Sequence, residues 1–244
     1  MVAMLDSLKN DLGRKTDNSS HRSRRGRPSL AEMANRRESS QELLVRSAIG
    51  AFAKHGFETV TTGLIAENAG MAQSMVYYHF KTKEQIWKAA IEQLMRDLGE
   101  RFPLANDELK DLDPGNRLKV LVRRFVRMSA LDISLSRIMI HEGTTPGPRL
   151  MWLAERFLKP GFEPFDQTVA EGIRSGHLKD LPIYAVTHTI ISAAAMTYCL
   201  APVVEATHGV DLNDEVAMNE LADSFLTILF DGLLKRPSGE GDSS

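Results

Sequence analysis

The feature that most limits this chain is the spacing of its apolar residues and the points at which glycine and proline interrupt them. Between Ser39 and Pro103 they recur every third or fourth position, the period of a helix buried on one face. Leu43, Leu44, Ala48, Ala51 and Phe52 form the first stripe, with Ser39 or Ser40 as the expected N-cap and Glu42 in the first turn. His55-Gly56 closes that helix, because glycine takes the left-handed position after a helix end without a Cβ penalty. Thr61 or Thr62 offers a cap for a short helix through Ala69, which Gly70 ends. A second short helix is expected from about Gln73 to His79, and a longer one from Lys83 or Glu84 to about Arg101, stopped near Pro103.

The rest of the chain reads as more of the same. Asn116–His141 holds no Pro or Gly and carries a stripe of Leu118, Leu121, Val122, Phe125, Val126, Ala130 and Ile133, so one long helix is expected there. Glu142–Pro148 has four breakers in seven residues and reads as a loop. Helices are then expected over Arg149–Leu158, Pro160–Ser175, Leu181–Ala206 and Asn213–Lys235. Alternating apolar runs flanked by Asn-Gly or Asp-Gly turns are missing from the sequence, so no sheet is needed. The expected fold class is all-α. The expected divisions are a disordered basic arm over 1–38, a first domain over 39–95, a larger helical domain over 96–236 and a frayed tail over 237–244.

The formal charge of −2 hides an asymmetry. Residues 21–95 carry a net +4 and residues 96–244 a net −6, a basic front on an acidic rear. Such a split suits a nucleic-acid-binding head on a body with another task. The single cysteine, Cys199, excludes an internal disulfide and any multi-Cys zinc cluster, and fits a reduced cytoplasmic compartment. The N-terminal stretch lacks the apolar run of a secretory signal. Leu181–Val204 has no charged residue, but its two prolines, polar side chains and small alanines read as a buried helix and not as a membrane span.

The informative window is Thr61–Glu84, TTGLIAENAGMAQSMVYYHFKTKE, in which the turn Asn68-Ala-Gly-Met71 joins two short helices as a helix-turn-helix requires. Ile65, Ala66, Ala69, Met71, Val76 and Phe80 form its inward face, and Gln73, Ser74, Met75, Tyr77 and Tyr78 are left pointing outward. This window resembles the core of the tetracycline-repressor family in Thr61 or Thr62, Ile65, Ala66, Ala69, Gly70, Tyr77, Phe80, Lys83 and Glu84. Ala48, Phe52 and His55-Gly56-Phe57 resemble that family's first helix and its exit. The likeness is dense over about residues 40–95 and only architectural beyond. Two departures stand out. Ala72 replaces the usual serine N-cap, at a cost of about 1 kcal/mol to the helix start, and Met75 stands where a small or hydroxylated residue is commoner.

Residue chemistry assigns roles within that frame. Gln73 can pair bidentately with an adenine edge, while Met75 touches a thymine methyl or simply packs. The hydroxyl of Tyr77 suits a backbone phosphate, with Ser74, Tyr78 and His79 beside it on the same DNA-facing set. Lys83 adds a cation to the amide end of its helix, and Thr61 or Thr62 is a similar anchor. Upstream, Arg25-Gly26-Arg27-Pro28 resembles the core of an AT-hook; Arg25 and Arg27 either enter a narrow minor groove or belong to a solvated basic tail.

Leu181–Ala206 and Asn213–Lys235 are apolar on more than one face and so need cover from a partner as well as from their own domain. The resemblance implies that these two helices form a four-helix interface in a homodimer, which presents two recognition helices to a palindromic double-stranded DNA operator. It also implies a cavity for a small-molecule effector. Polar groups on otherwise apolar stretches, the candidates to meet that effector, are His141, Arg149, Trp152, His188, Tyr198 and Cys199. No cofactor, metal or membrane partner is expected. No G-x-S-x-G, Walker loop or H-E-x-x-H occurs, and no nucleophile-base-orienter set can be assembled, so an enzyme on a helical scaffold is the weakest alternative. A nonspecific architectural DNA-binding protein is the other alternative, and it predicts little sequence preference with a steep salt dependence.

Overall fold

The computed structural model describes residues 30–102 and 109–233, and every element along them is helical. Helix α1 (Leu30–Thr59) is followed by α2 (Thr62–Asn68), α3 (Gln73–His79) and α4 (Lys83–Arg101), which make the head. The body holds α5 (Pro114–Leu131), α6 (Ser134–Gly143), α7 (Pro148–Leu153), α8 (Lys159–Arg174), α9 (Ile183–Cys199), α10 (Ala201–His208) and α11 (Glu215–Leu233). The arginines expected to read a minor groove, Arg25 and Arg27, and the tail from residue 234 lie outside the described residues.

Helix α1 begins at Leu30, nine residues before the expected cap, so Ser39 and Ser40 lie within the helix. Nothing in the run from Leu30 to Glu38 breaks a helix, and its glutamates, arginines and alanines are good helix formers. At the other end Gly56 departs from helical geometry with φ +72° and ψ 167°, as the glycine signal required, and the chain turns there.

The three helices that follow start and stop where their caps dictate. The Thr61 hydroxyl accepts from the Leu64 amide at the start of α2, and Thr82 does the same for the Gln85 amide at the start of α4. The Gln85 carboxamide accepts from the Lys81 amide, so the first turn of α4 is tied from both sides. Ala72 starts α3 with no side-chain cap, as its chemistry demands. Ile65, Ala66, Val76 and Phe80 are buried, and Ala69 and Met71 pack against them.

The body departs from expectation at three breaks. The long helix expected over Asn116–His141 is two helices, because Asp132 is extended at φ −148° and its carboxylate accepts from the Ser134 amide, ending α5 and starting α6. Conversely, the two helices expected around Leu158 are one path, since α7 runs into α8 through the π-turn Ala154–Leu158, with Pro160 just beyond that turn. The helix expected over Leu181–Ala206 divides at Leu200 into α9 and α10, bent by 65°. Among the described residues no single helix is long and apolar enough to cross a membrane; α9 and α10 pass by length and composition only as that bent pair.

The body core forms where α5 packs on α8, α9 and α11. Leu118, Leu121 and Val122 of α5 are buried with Phe165 and Val169 of α8, Ile190 of α9 and Phe230 of α11. Phe125 meets Phe165 edge to face at 6.0 Å. Arg117 ties the start of α5 to the segment before it, donating to the Leu109, Lys110 and Leu112 carbonyls and pairing with Glu171 at 2.7 Å.

Candidate functional site

The outward face of α3 is fixed by a short hydrogen-bonded chain that begins on α2. Gln73 Nε2 donates to the Thr62 hydroxyl at 3.0 Å, and that hydroxyl donates to the Tyr77 hydroxyl at 3.2 Å. Each link leaves one group pointing at solvent. The Tyr77 oxygen is satisfied as an acceptor, so its own proton is available to an anionic oxygen such as a phosphate. Gln73 keeps its carbonyl and its second N–H, the pair that a bidentate contact with adenine needs. Tyr77 is 54% exposed and Tyr78 62%, large aromatic faces that a protein does not leave in water without a use. Gln73, Ser74 and Thr61 are exposed beside them, and Thr62 is half-buried.

Three of the residues expected on this face do other work. Met75 is half-buried and packs against the core, which favours packing over contact with a thymine methyl. His79 Nε2 lies 2.8 Å from the Ser40 hydroxyl, pinning the end of α3 to α1, with its ring edge-on to Tyr78 at 5.0 Å. Lys83 donates to the Phe57 and Glu58 carbonyls at 2.9 and 3.4 Å and sits 4.3 Å from the Phe57 ring, so it ties the start of α4 to the end of α1. Sequence spacing puts a cation at the start of α4 but does not show which carbonyls lie above it.

The candidate effector residues divide three ways: none of them lines the apolar cavity between α4, α5, α6 and α8, and Tyr198 lines a smaller pocket of about 150 Å³ with Arg137 and Glu205. His141, Arg149 and Trp152 sit where the body meets the head. The ring of His141 lies so close to Gly56 that a Cβ there would be 2.9 Å from Nδ1. Arg149 donates to Glu142 and to Glu58, both at 2.9 Å, and its guanidinium lies 3.9 Å from the Phe57 ring. Burial pulls the Arg149 pKa down, and the Glu142 and Glu58 carboxylates outweigh it and hold it above its ordinary value. Trp152 lies 5.4 Å from Trp87, itself almost wholly buried in the head. His188 is exposed on α9. Tyr198 and Cys199 sit at the end of α9, where burial raises both their pKa values; the Tyr198 hydroxyl has no partner among the described residues.

The cavity itself was not visible to periodicity. It measures about 210 Å³ and lies between α4, α5, α6 and the π-turn leading into α8, with Leu98, Phe102, Phe125, Met128, Phe157 and Phe162 among its walls. None of its lining residues carries a polar side chain. It exceeds the ~150 Å³ apolar cavity that accepts benzene, and an apolar cavity of this kind takes hydrocarbon more readily than water. His188 touches it only indirectly, through an edge-on contact of its ring with Phe162 at 5.5 Å. Among the described residues no cluster of three or more His, Cys, Asp or Glu side chains is placed to hold a metal ion.

Comparison with known proteins places this geometry. Residues 44–90 match the model of "Bacterial regulatory proteins, tetR family". The chain is 26% identical over 196 residues to the HTH-type transcriptional regulator RutR of Escherichia coli K12, covering 80% of this chain and 91% of RutR. In fold it is similar to the ketosteroid transcriptional regulator KstR2 of Mycobacterium tuberculosis, with a TM-score of 0.61, 20% identity, and 82% of this chain against 96% of that one. It is similar also to FadR of Bacillus subtilis, solved in complex with stearoyl-CoA, at a TM-score of 0.59 and 22% identity, covering 78% and 98%.

Proposed function

We propose that this chain, whose residues 44–90 match the tetR-family model, is a ligand-responsive, DNA-binding transcriptional regulator of the tetracycline-repressor kind, acting as a homodimeric repressor whose effector is apolar. The observation that carries the DNA-reading half is the chain Gln73–Thr62–Tyr77, which orients one base-reading group and one phosphate donor on an exposed recognition helix. Thr61, Ser74 and Tyr78 complete the face; Lys83 and His79 support it from behind.

The two-fold partner is a second copy, seated on α9 and α11. Tyr184 is 71% exposed on α9, and Val216 and Ile228 are 64% and 77% exposed on α11, apolar surface that a monomer would leave in water. Such a dimer sets its recognition helices about one DNA turn apart, ~34–36 Å or slightly more, and so reads a palindrome. The effector is proposed to occupy the cavity against Phe125, Phe157 and Phe162. Its walls call for a hydrocarbon ring or chain of modest size, and the stearoyl-CoA held by the B. subtilis neighbour makes acyl thioesters natural probes. Occupancy selects a body conformation in which the two heads no longer fit adjacent major grooves. The reading has no catalytic step and places the protein in the cytoplasm.

The test is a fluorescence-anisotropy titration against the DNA just upstream of the protein's own gene and a scrambled control, at two salt concentrations. Preference for the native fragment by ~10³ or more supports a sequence-specific regulator. Equal binding that collapses with salt replaces it with the architectural reading.

A further inference from the structure

The regulatory reading leaves open how a filled cavity reaches the head, and the junction between them holds an answer that rests on that reading. The aromatic ring of Phe157, a wall of the cavity, packs edge-on to Trp152 at 5.5 Å. Trp152 lies against Trp87 of the head and sits one turn along α7 from Arg149. Arg149 in turn grips the end of α1, with its guanidinium over Phe57 and one nitrogen on Glu58. Ring contacts therefore join the cavity wall to the head through Trp152, and Arg149 holds α1 from the same short helix.

We propose that Arg149 is the positioning residue that carries occupancy of the apolar cavity to the DNA-binding head. Its two ion pairs are unequal, and the inequality decides which one yields. Glu142 is 7% exposed, so leaving it would strand a buried carboxylate, whereas Glu58 is 81% exposed and surrenders its partner to water at little cost. Arg149 and Glu142 move together, and the Glu58–Phe57 grip is the one that opens. The π-turn Ala154–Leu158 supplies the movement, because it joins α7 to α8 with more residues per turn than an α-helix uses. A group pressing on Phe157 acts directly on that turn.

The experiment needs no identified effector. Gly161 lines the cavity, and a Cβ built on it meets nothing within 4 Å, so Gly161→Leu fills the space from within. The measurements are affinity for the upstream DNA and tryptophan emission of the full-length chain, whose two tryptophans are Trp87 and Trp152. In the native background Gly161→Leu is expected to shift the emission and lower DNA affinity by ~10-fold or more, within the usual range of allosteric coupling. Combined with Arg149→Met, the same change should still shift the emission but alter DNA affinity less than about two-fold. Arg149→Lys keeps a charge on Glu142 without the fork that reaches Glu58 as well, and should restore only part of the response. Glu58→Gln cuts the same link from the exposed side, so it must uncouple too, even if Arg149→Met folds poorly. A full DNA response of Gly161→Leu in the Arg149→Met or Glu58→Gln background overturns the proposal, as does a Gly161→Leu chain with unchanged emission and affinity. A native chain without preference for the upstream DNA overturns the regulatory reading along with it; normal DNA preference without coupling removes this inference alone.

Discussion

The face of α3 and the cavity beneath the body are made of opposite chemistry, and the difference says what each can discriminate. On α3 the informative atoms are donors and acceptors with fixed directions: Gln73, Thr62 and Tyr77 are aligned by one another before any DNA arrives. Such a face separates partners by hydrogen-bond pattern, and a mismatched base leaves a polar group unpaired. The cavity walls offer no polar side chain, so they hold an occupant by area removed from water and separate occupants only by size and shape. A missing methylene there is worth about 1–3 kcal/mol. The head is therefore expected to be selective and the body tolerant of a family of related effectors.

The junction is where that division breaks with the largest effect. Gly56→Ala places a Cβ at φ +72° and ψ 167°, a region only glycine occupies readily, and drives it to 2.9 Å from His141. The expected loss is about 3 kcal/mol of stability, read as a fall in melting temperature, with DNA affinity falling as well because α1 leaves the junction at another angle. Gly70→Ala is the control. Its φ is also positive, at +67°, but nothing lies within 4 Å of the new Cβ, so only the backbone cost of about 1–2 kcal/mol remains. Equal losses at the two positions would show that the contact with His141 carries no weight.

Ligand chemistry sharpens the contrast from the body's side. A hydrocarbon probe at about a hundred times its Kd is expected to stabilise the protein by about 2.7 kcal/mol. In a thermal-shift series of acyl thioesters, the melting temperature should rise with chain length until the cavity is full and then level off. Polar molecules of similar volume should leave it unchanged. A response that follows the polar group instead of the chain would move the effector to another site.

From the head's side, two substitutions on the same helix should behave differently. Gln73→Ala removes a base-reading pair and is expected to cost about 1–3 kcal/mol at one base position while relaxing the preference there. Tyr77→Phe removes one hydrogen bond to phosphate, so it should cost about 1 kcal/mol on every sequence alike. Binding selections with each variant check this. Unchanged binding by both would dismiss the recognition face.

How much of this was readable in advance depended on the range over which the deciding interaction acts. The head's elements were legible because Gly56, Thr61 and Gly70 act on their immediate neighbours, and each sits within a few residues of the boundary it sets. The exposure of Gln73, Ser74, Tyr77 and Tyr78 followed from the helical period alone. What the period could not show was which side chain meets a distant group, such as the contacts of Lys83 and His79 with α1. In the body the deciding contacts span many residues. Asp132 is the single acid in the run Asn116–His141, but residue type alone does not show that its carboxylate turns back onto the Ser134 amide, and nothing local marks Ala154–Leu158 as a π-turn. The effector candidates were chosen for being polar in apolar surroundings, yet this cavity has apolar walls. That rule found His141 and Arg149, which belong to the junction, and passed over Phe157 and Phe162.

The smallest predicted effect concerns two helix starts, one in each region, whose caps are unlike. Helix α5 opens on Asp113, whose carboxylate accepts from the Asn116 amide at 3.0 Å, whereas the recognition helix α3 opens on Ala72 with no side-chain acceptor. Ala72→Ser should therefore add up to about 1 kcal/mol and Asp113→Ala should remove about the same, both measurable by denaturant unfolding. The two gains differ in their response to acid. The Asn116 backbone N–H, followed by smaller contributions, lowers the Asp113 pKa, so the carboxylate is more acidic folded than unfolded. Its contribution is fully present above the unfolded value of ~3.9 and disappears as pH falls through the lower, folded one. A serine cap has no charge to lose over that interval. The stability difference between native protein and Asp113→Ala should accordingly shrink in acid while that between Ala72→Ser and native protein stays level. Parallel behaviour of the two differences would mean that Asp113 acts on α5 by something other than its ionised carboxylate.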